Sequence, residues 1–399
     1  MSSATPTPGR ARLGVSLMFF TNGVLFSNLL PRYPEVKEAF ALSDTAFGLL
    51  VICFPIGAIL AAATAAPIVR RFGARRVTSA GTVLLAAILA VAGGSPTAWF
   101  FAICLAVGGL VDAIIDTAQN VQGVIVEQWH GRSIINSLHA IWSLGATSGG
   151  LIGTWAAANG IPLQPQLVVN GVVWSIVAVA AGVLSKAPVV ITHVGSDESD
   201  ETEASPQART SVRPWKLLAP LVVLSISGTL LEEFASSWSA LFVLRETDAP
   251  ATFAGLGFTI MLGSQFVGRM LGDPMTDRWG RAAVARSGGI TITVGVLAAM
   301  FGQGYLWAFA GFALIGFGCA TLVPAAFAAA ARVPGLPHGT GIAILGWLMR
   351  LGFLVTSPVI GLISDNAGLR VALIIPLGAG LTAAAIAHAL ARRNRNAGS

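Results

Sequence analysis

Two aspartates stand one helical turn apart in a strongly apolar stretch of the chain. Asp112 and Asp116 lie in the run 97–127, and Asn120 follows four residues later. A helix brings all three to one face. Two carboxylates in a medium of low dielectric resist being ionised together, so such a pair is suited to taking up and releasing a proton. His139, in the next apolar run, is the side chain that exchanges protons near neutral pH. If 97–127 and 133–158 are antiparallel helices turning near position 130, Asn120 lies level with His139 and Asp116 with Ser143. A static reading uses the same residues as a helix cap and a neutral packing histidine.

Further charges sit where water is scarce. An Asp, Lys or Arg at mid-helix costs roughly 2.5–3.5 kcal/mol on membrane-insertion scales, so each needs a reason. Glu232 and Glu233 fall near the middle of the run 216–244. Neighbours on a helix point about 100° apart, so at most one faces a central cavity squarely. Arg350 lies at similar depth in 339–364, and a Glu232–Arg350 ion pair is the expected partnership, either strut or latch. Arg269 and Asp273 lie one turn apart near the end of 250–275, just before Asp277, where gating is expected rather than solute contact. Trp142 could stack on a sugar-like ring.

The elements that must hold these groups follow from composition. The chain has 399 residues, 54% hydrophobic and 11% charged, with a mean hydropathy of +0.75. Soluble domains carry about 25% charge, which argues against a soluble enzyme. At about 20 apolar residues per crossing there is room for a dozen spans. Apolar runs fall at 12–31, 45–69, 77–94, 97–127, 133–158 and 166–185, then at 216–244, 250–275, 284–302, 305–331, 339–364 and 369–391. Between the two sets lies the acidic, Ser/Thr/Pro-bearing segment 186–215, too polar to fold alone. The expected division is a six-helix bundle over 1–185, a flexible cytoplasmic linker over 186–215 and a second bundle over 216–399.

Most of the 24 Lys and Arg fall at one set of loop ends, including Arg71, Arg76, Arg278 and Arg281. The other set keeps Arg32, Lys37, Arg245 and Arg370. The positive-inside rule then puts both termini and the linker in the cytoplasm. The net charge of +6 is scattered over short loops, with no basic stripe for nucleic acid. Cys53, Cys104 and Cys319 have no metal-ligand or disulfide spacing. The first eleven residues lead straight into a helix without a cleavage site, so no removable signal peptide is expected.

Shifted by 207 residues, the halves come into register. Gly48 meets Gly255, Pro67 meets Pro274, Arg71 meets Arg278, Gly73 meets Gly280 and Gly109 meets Gly316. The chain reads as a duplication, the architecture of many secondary transporters. The turns Arg70-Arg71-Phe72-Gly73-Ala74-Arg75-Arg76 and Asp277-Arg278-Trp279-Gly280-Arg281 resemble the signature loop of the major facilitator superfamily. In that family the loop grips neighbouring helices in one conformational state; here Arg70 stands where an acid is usual. A finer resemblance is to the bacterial YbjJ-like and MosC-like group. It is carried by Asp116, Asn120, Gln122, Glu127, His139, Ser143 and Gly145, and by Glu232, Trp238-Ser239-Ala240, Gly268-Arg269 and Gly272-Asp273. The segment 116–120 is also similar to the helix-4 segment of fucose/proton symporters, whose acid there takes part in proton coupling.

The resemblance implies an all-α membrane protein of twelve transmembrane helices in two pseudo-symmetric six-helix bundles. It implies a solute carrier of the bacterial inner membrane, working by alternating access. The expected proton sites are Asp116 and Asp112, with His139 and Glu232. Candidate solute contacts are Asn120, Trp142, Glu233, Trp238 and Arg350, with Asn22 and Phe20 on the first helix, which lines the cavity in this family. Candidate gating residues are Arg71, Gly73, Arg269, Asp273, Asp277, Arg278 and Gly280. The expected partners are a small polar solute, protons (or sodium) and membrane lipids, with no cofactor or metal, and the carrier is expected to be a monomer. Import by proton symport is favoured. Export by proton antiport is the alternative, and a non-transporting sensor on the same fold is a different class. The glycines Gly145, Gly149, Gly150 and Gly153 read as close helix packing rather than an exporter motif. No HExxH, Walker or CxxC sequence supports an enzyme.

Overall fold

In the computed structural model, residues 7–390 are described except 62–63, 132–133, 188–213, 331–332, 335 and 337–339. Side chains at 136, 273, 342, 343 and 389 are likewise not described. Most of the expected linker therefore lies outside the described residues, as does Arg132.

Helix starts follow local chemistry. Thr7 caps α1 (Pro8–Ser27), with Pro8 at the first turn, where its missing N–H is no loss. A short helix, Tyr33–Ala39, precedes α2, which is built from Asp44–Val51, Cys53–Leu60 and Ala65–Phe72 and bends by 57° before its last piece. Ser43 caps its start by accepting the Ala46 N–H at 3.1 Å. Next come α3 (Ala74–Gly93), α4 (Ala98–His130), α5 (Ile135–Ala158) and α6 (Leu163–Leu184). The second half repeats the pattern with α7 (Pro214–Glu246), α8 (Leu256–Trp279) and α9 (Arg281–Phe301). It continues with α10 (Tyr305–Cys319 and Leu322–Ala330), α11 (Thr340–Leu348 and Arg350–Ala367) and α12 (Leu369–Ala372 and Ile374–Ile386).

Among the described residues, ten helices are long and apolar enough to cross a bilayer, eleven with the bent α2. The twelfth expected span, α5, has 24 residues. It is long enough to cross, but Ser137, His139, Ser143, Thr147 and Ser148 make it more polar. On the outside of the molecule, α6 exposes Val169, Ile176 and Val183 at seven-residue spacing, an apolar stripe suited to lipid.

The duplication reappears in packing detail. A Cβ at Gly109 would lie 1.9 Å from the carbonyl oxygen of Phe54, and one at Gly316 would lie 2.1 Å from that of Met261. Phe54 and Met261 are themselves 207 residues apart. Gly73 and Gly280 close the two signature turns with φ of 83° and 81°, where a side chain would be strained.

The glycine row of α5 does what was expected of it. Cβ atoms at Gly145, Gly149 and Gly153 would fall 2.3, 2.5 and 2.2 Å from the carbonyl oxygens of Phe20, Val24 and Asn28. The backbones of α1 and α5 therefore touch, and α4 packs against α1 beside them.

The halves meet mainly through α2 against α11 and α5 against α8. These seams lie toward the end of the molecule that carries Asp44, Arg245 and Asp365. At the opposite end, Gly73, Gly131 and Gly280 face open space, with nothing within 4 Å of where a Cβ would stand, and Arg71, Phe72, Arg278 and Trp279 are exposed.

Candidate functional site

The polar centre is assembled from α1, α4 and α5 on one side and α7, α8 and α11 on the other. Asn22 of α1 donates from Nδ2 to Asp112 Oδ1 at 2.7 Å. Its Oδ1 accepts from the Trp142 indole at 2.8 Å and from Gln119 at 3.4 Å. Gln119 also donates to Asp116 Oδ1 at 3.2 Å, and Asn120 donates to the same oxygen at 3.1 Å. The two aspartates are thus linked through neutral amides, and Asp116 is itself exposed although it sits mid-helix. Gln119 Oε1 is buried and has no hydrogen-bond partner among the described residues. His139 is exposed, packs edge-on against Phe19 with ring centroids 5.3 Å apart, and lies within electrostatic reach of Asp116 and Arg269.

In the second half the ion pair differs from the expected one. Glu232 bonds Arg269 at 3.1 Å and accepts from Gln265, so the Glu232–Arg350 pair is not formed. Depth along a helix gives height but not the neighbouring helix, and α8 rather than α11 presents the guanidinium to Glu232. Arg269 also donates to Ser143 Oγ of α5 at 2.9 Å. It therefore joins the two halves at the polar centre instead of sitting apart as a gate near a helix end. Arg350 is half-buried and lies within electrostatic reach of Asp116.

Three expected solute contacts face elsewhere. Glu233 is 6% exposed and accepts from Ser237 and Ser357, both at 2.7 Å. The adjacent glutamates thus diverge, as their angular separation requires. Trp238 is fully buried. Its indole donates to Ser357 at 3.0 Å and its ring meets Phe47 edge-on at 5.2 Å, which makes it packing between the halves. Phe20 turns toward Trp174 of α6, with centroids 5.6 Å apart, and its neighbour Phe19 takes the place beside His139.

At the signature turns, Arg71 lies over its own neighbour Phe72, 5.5 Å from the ring centroid. Asp277 and Arg278 are exposed, and among the described residues none of these three is in an ion pair. The side chain of Asp273 lies outside the described residues.

Sequence reasoning did not single out the fastening at the other end. Asp44, 3% exposed, receives Arg245 of α7 at 2.7 and 2.8 Å, Lys37 at 3.0 Å and the Ser364 hydroxyl. Asp365 of α11 accepts the Asp44 and Thr45 N–H groups, both at 2.8 Å. A carboxylate from one half thereby caps a helix of the other. A Ser-Asp start before an apolar run reads only as an ordinary helix cap, so its cross-half partners left no sequence signal.

Comparison with known proteins follows the same outline. The profile of the Major Facilitator Superfamily matches residues 15–244 and 221–398. An uncharacterized transporter of Sinorhizobium fredii, y4wD, is 28% identical over 382 residues, covering 96% of this chain and 97% of its own. Membrane protein MosC of Rhizobium meliloti is 27% identical over 372 residues, covering 93% of this chain and 88% of its own. Among solved structures, the nucleoside transporter NupG superposes with a TM-score of 0.68 at 14% identity, covering 96% of this chain and 98% of NupG. FucP in its outward conformation gives 0.60 at 18% identity, covering 94% and 97%. At such identities the last two speak for the fold alone.

Proposed function

The chain belongs to the Major Facilitator Superfamily, a multi-pass membrane transporter, and from that premise we propose that it moves a small polar solute together with protons. The observation that carries this reading is the Asp112–Asp116 pair, set one turn apart on α4 with Asp116 exposed, and served among the described residues by neutral amides from Asn22, Gln119 and Asn120. No lysine or arginine bonds either acid among the described residues. A carboxylate without a fixed cation can be neutralised by a proton at small cost, and one that is exposed to the cavity can exchange it. Asp116 takes the proton from the open side, Asp112 supports it through Asn22 and Gln119, and His139 adjusts the field. Glu232, held by Arg269, links that field to the second half.

With the arginine-rich turns in the cytoplasm of a bacterium's inner membrane, the Asp44 fastening seals the outer side and the cavity opens inward. Transport then requires the Asp44–Arg245 and Asp365 contacts to part and the signature turns to close. Symport is the favoured direction, because the acids lie on the same wall as the polar groups offered to the solute.

The test is accumulation in proteoliposomes under an imposed pH gradient, assayed against a panel of polar solutes. Uptake down the proton gradient supports symport, and expulsion would make the protein an antiporter. Flux indifferent to the gradient would overturn proton coupling.

A further inference from the structure

At the polar centre, among the described residues, Arg350 is the arginine outside any ion pair, and Asp116 is the exposed acid outside one. Arg269 and Glu232 satisfy each other within the second half at 3.1 Å. Asp112 takes the Asn22 amide, and Glu233 is enclosed by Ser237 and Ser357. Asp116 of α4 is exposed and bonded through amides, and Arg350 of α11 is half-buried. They act on one another electrostatically, yet among the described residues neither forms an ion pair. Both hydrogen bonds received by the Asp116 carboxylate fall on Oδ1, which leaves Oδ2 for a proton.

Resting on the proton-coupled reading above, we propose that the solute is a small hydroxylated acid, its anionic group docking on Arg350 while Asp116 carries the proton that travels with it. The reason is electrostatic. While Asp116 is ionised, its charge offsets that of Arg350 and repels an arriving anion. Once Asp116 is protonated, Arg350 is left uncompensated and draws the anion in. Proton and anion therefore strengthen each other's binding, and the coupling is reciprocal. The guanidinium fork suits a carboxylate, while Asn120 and His139 stand beside Asp116 to meet hydroxyls.

The other charged groups around Asp116 do not undo this. Asp112 stands one turn away on the same helix, tied to Asn22. His139 comes from α5, Arg269 from α8 is paired with Glu232 from α7, and α1 offers the neutral Asn22. A cationic solute would be repelled by Arg350 and would compete with the proton. A neutral polyol would leave Arg350 unmet. An acid held by Arg350 and Asn120 touches both halves, so its binding also draws the open end together.

The test is a thermal-shift and titration screen of the purified chain in nanodiscs at mildly acidic and mildly alkaline pH. The probes are gluconate, glucuronate and lactate, each with its neutral counterpart (sorbitol, glucose, lactamide), together with glucosamine. At least one acid should bind where its neutral counterpart and the amine do not. Its affinity should rise by up to about tenfold per unit fall in pH. Arg350→Gln should weaken it about tenfold or more, and Arg350→Lys, which keeps the charge, should retain part of the binding. Asp116→Asn should keep the affinity and lose the pH dependence. Each variant is first checked for a monodisperse profile. Binding of no acid, equal binding of a neutral or amine probe, or wild-type affinity in folded Arg350→Gln overturns the proposal. Acid binding of this kind without gradient-driven uptake would leave the docking site standing and sink the coupling. Gradient-driven uptake of neutral or cationic solutes alone would do the reverse.

Discussion

Asp116 and Asp112 share a helix face but differ in what they can do. Asp112 is fixed by Asn22, which Trp142 and Gln119 hold in turn, whereas Asp116 is exposed and bonded through one oxygen. Asp116→Asn is therefore expected to abolish accumulation driven by a pH gradient while sparing solute exchange at equal concentrations, both read in proteoliposomes. Arg269 and Glu232 are each about one-third exposed, with side-chain values of 29% and 30%. Breaking the pair should cost about 1 kcal/mol rather than the 3–5 of a fully buried one. Glu232→Gln and Arg269→Gln should each lower the melting temperature in detergent, and the double variant should fall by less than the sum. The aspartates were legible in sequence because their insertion cost demands a reason. The partner of Glu232 was not, since spacing along α7 and α11 gives depth but not which helix faces which. Trp238 misleads for a similar reason, because a tryptophan in an apolar run carries no mark of whether its ring meets a cavity or Phe47.

Helix by helix, the wall behind the acids is close-packed because α1 and α5 touch backbone to backbone. Gly149→Val would push a branched side chain into the Val24 carbonyl, where a Cβ alone already approaches to 2.5 Å. The expected loss is about 1–3 kcal/mol, visible as a lower melting temperature. Gly378→Ala in α12 is the control. Nothing lies within 4 Å of its Cβ position, and replacing a helical glycine there should be neutral or stabilising by up to about 1 kcal/mol. The spans, the duplicated register and the glycine packing could be read from the chain because hydropathy and small-residue spacing report them directly. The bend in α2 and the polar character of α5 blur the count, since one span is broken and another is lined with hydroxyls and a histidine.

For the molecule as a whole, the arginine distribution acquires a second meaning. Arg32, Lys37, Arg245 and Arg370, the four basic residues of the Asp44 end, are each held by an acid, at 2.5, 3.0, 2.7 and 3.3 Å. The exposed arginines of the signature turns are not so held among the described residues. That contrast was hidden in sequence, where Glu35, Asp44 and Glu246 look like ordinary loop acids. Asp365→Asn removes the charge that caps α2, and it should shift the population toward opening at the Asp44 end. Increased labelling of a cysteine placed at Ser43, in a chain freed of its own three cysteines, would register the shift. Conversely, joining cysteines at Thr45 and Asp365 with a short bifunctional maleimide should stop transport. The two seams also differ in a property that bears on how fast such a machine can cycle. When the halves separate, Arg269 keeps Glu232 and surrenders only the hydroxyl of Ser143, while Asp44 surrenders Arg245 but keeps Lys37. The α5–α8 seam thus parts with its ion pair intact, whereas at the other seam Arg245 leaves without its acid, so the electrostatic share of the barrier to turnover is gathered at that one end.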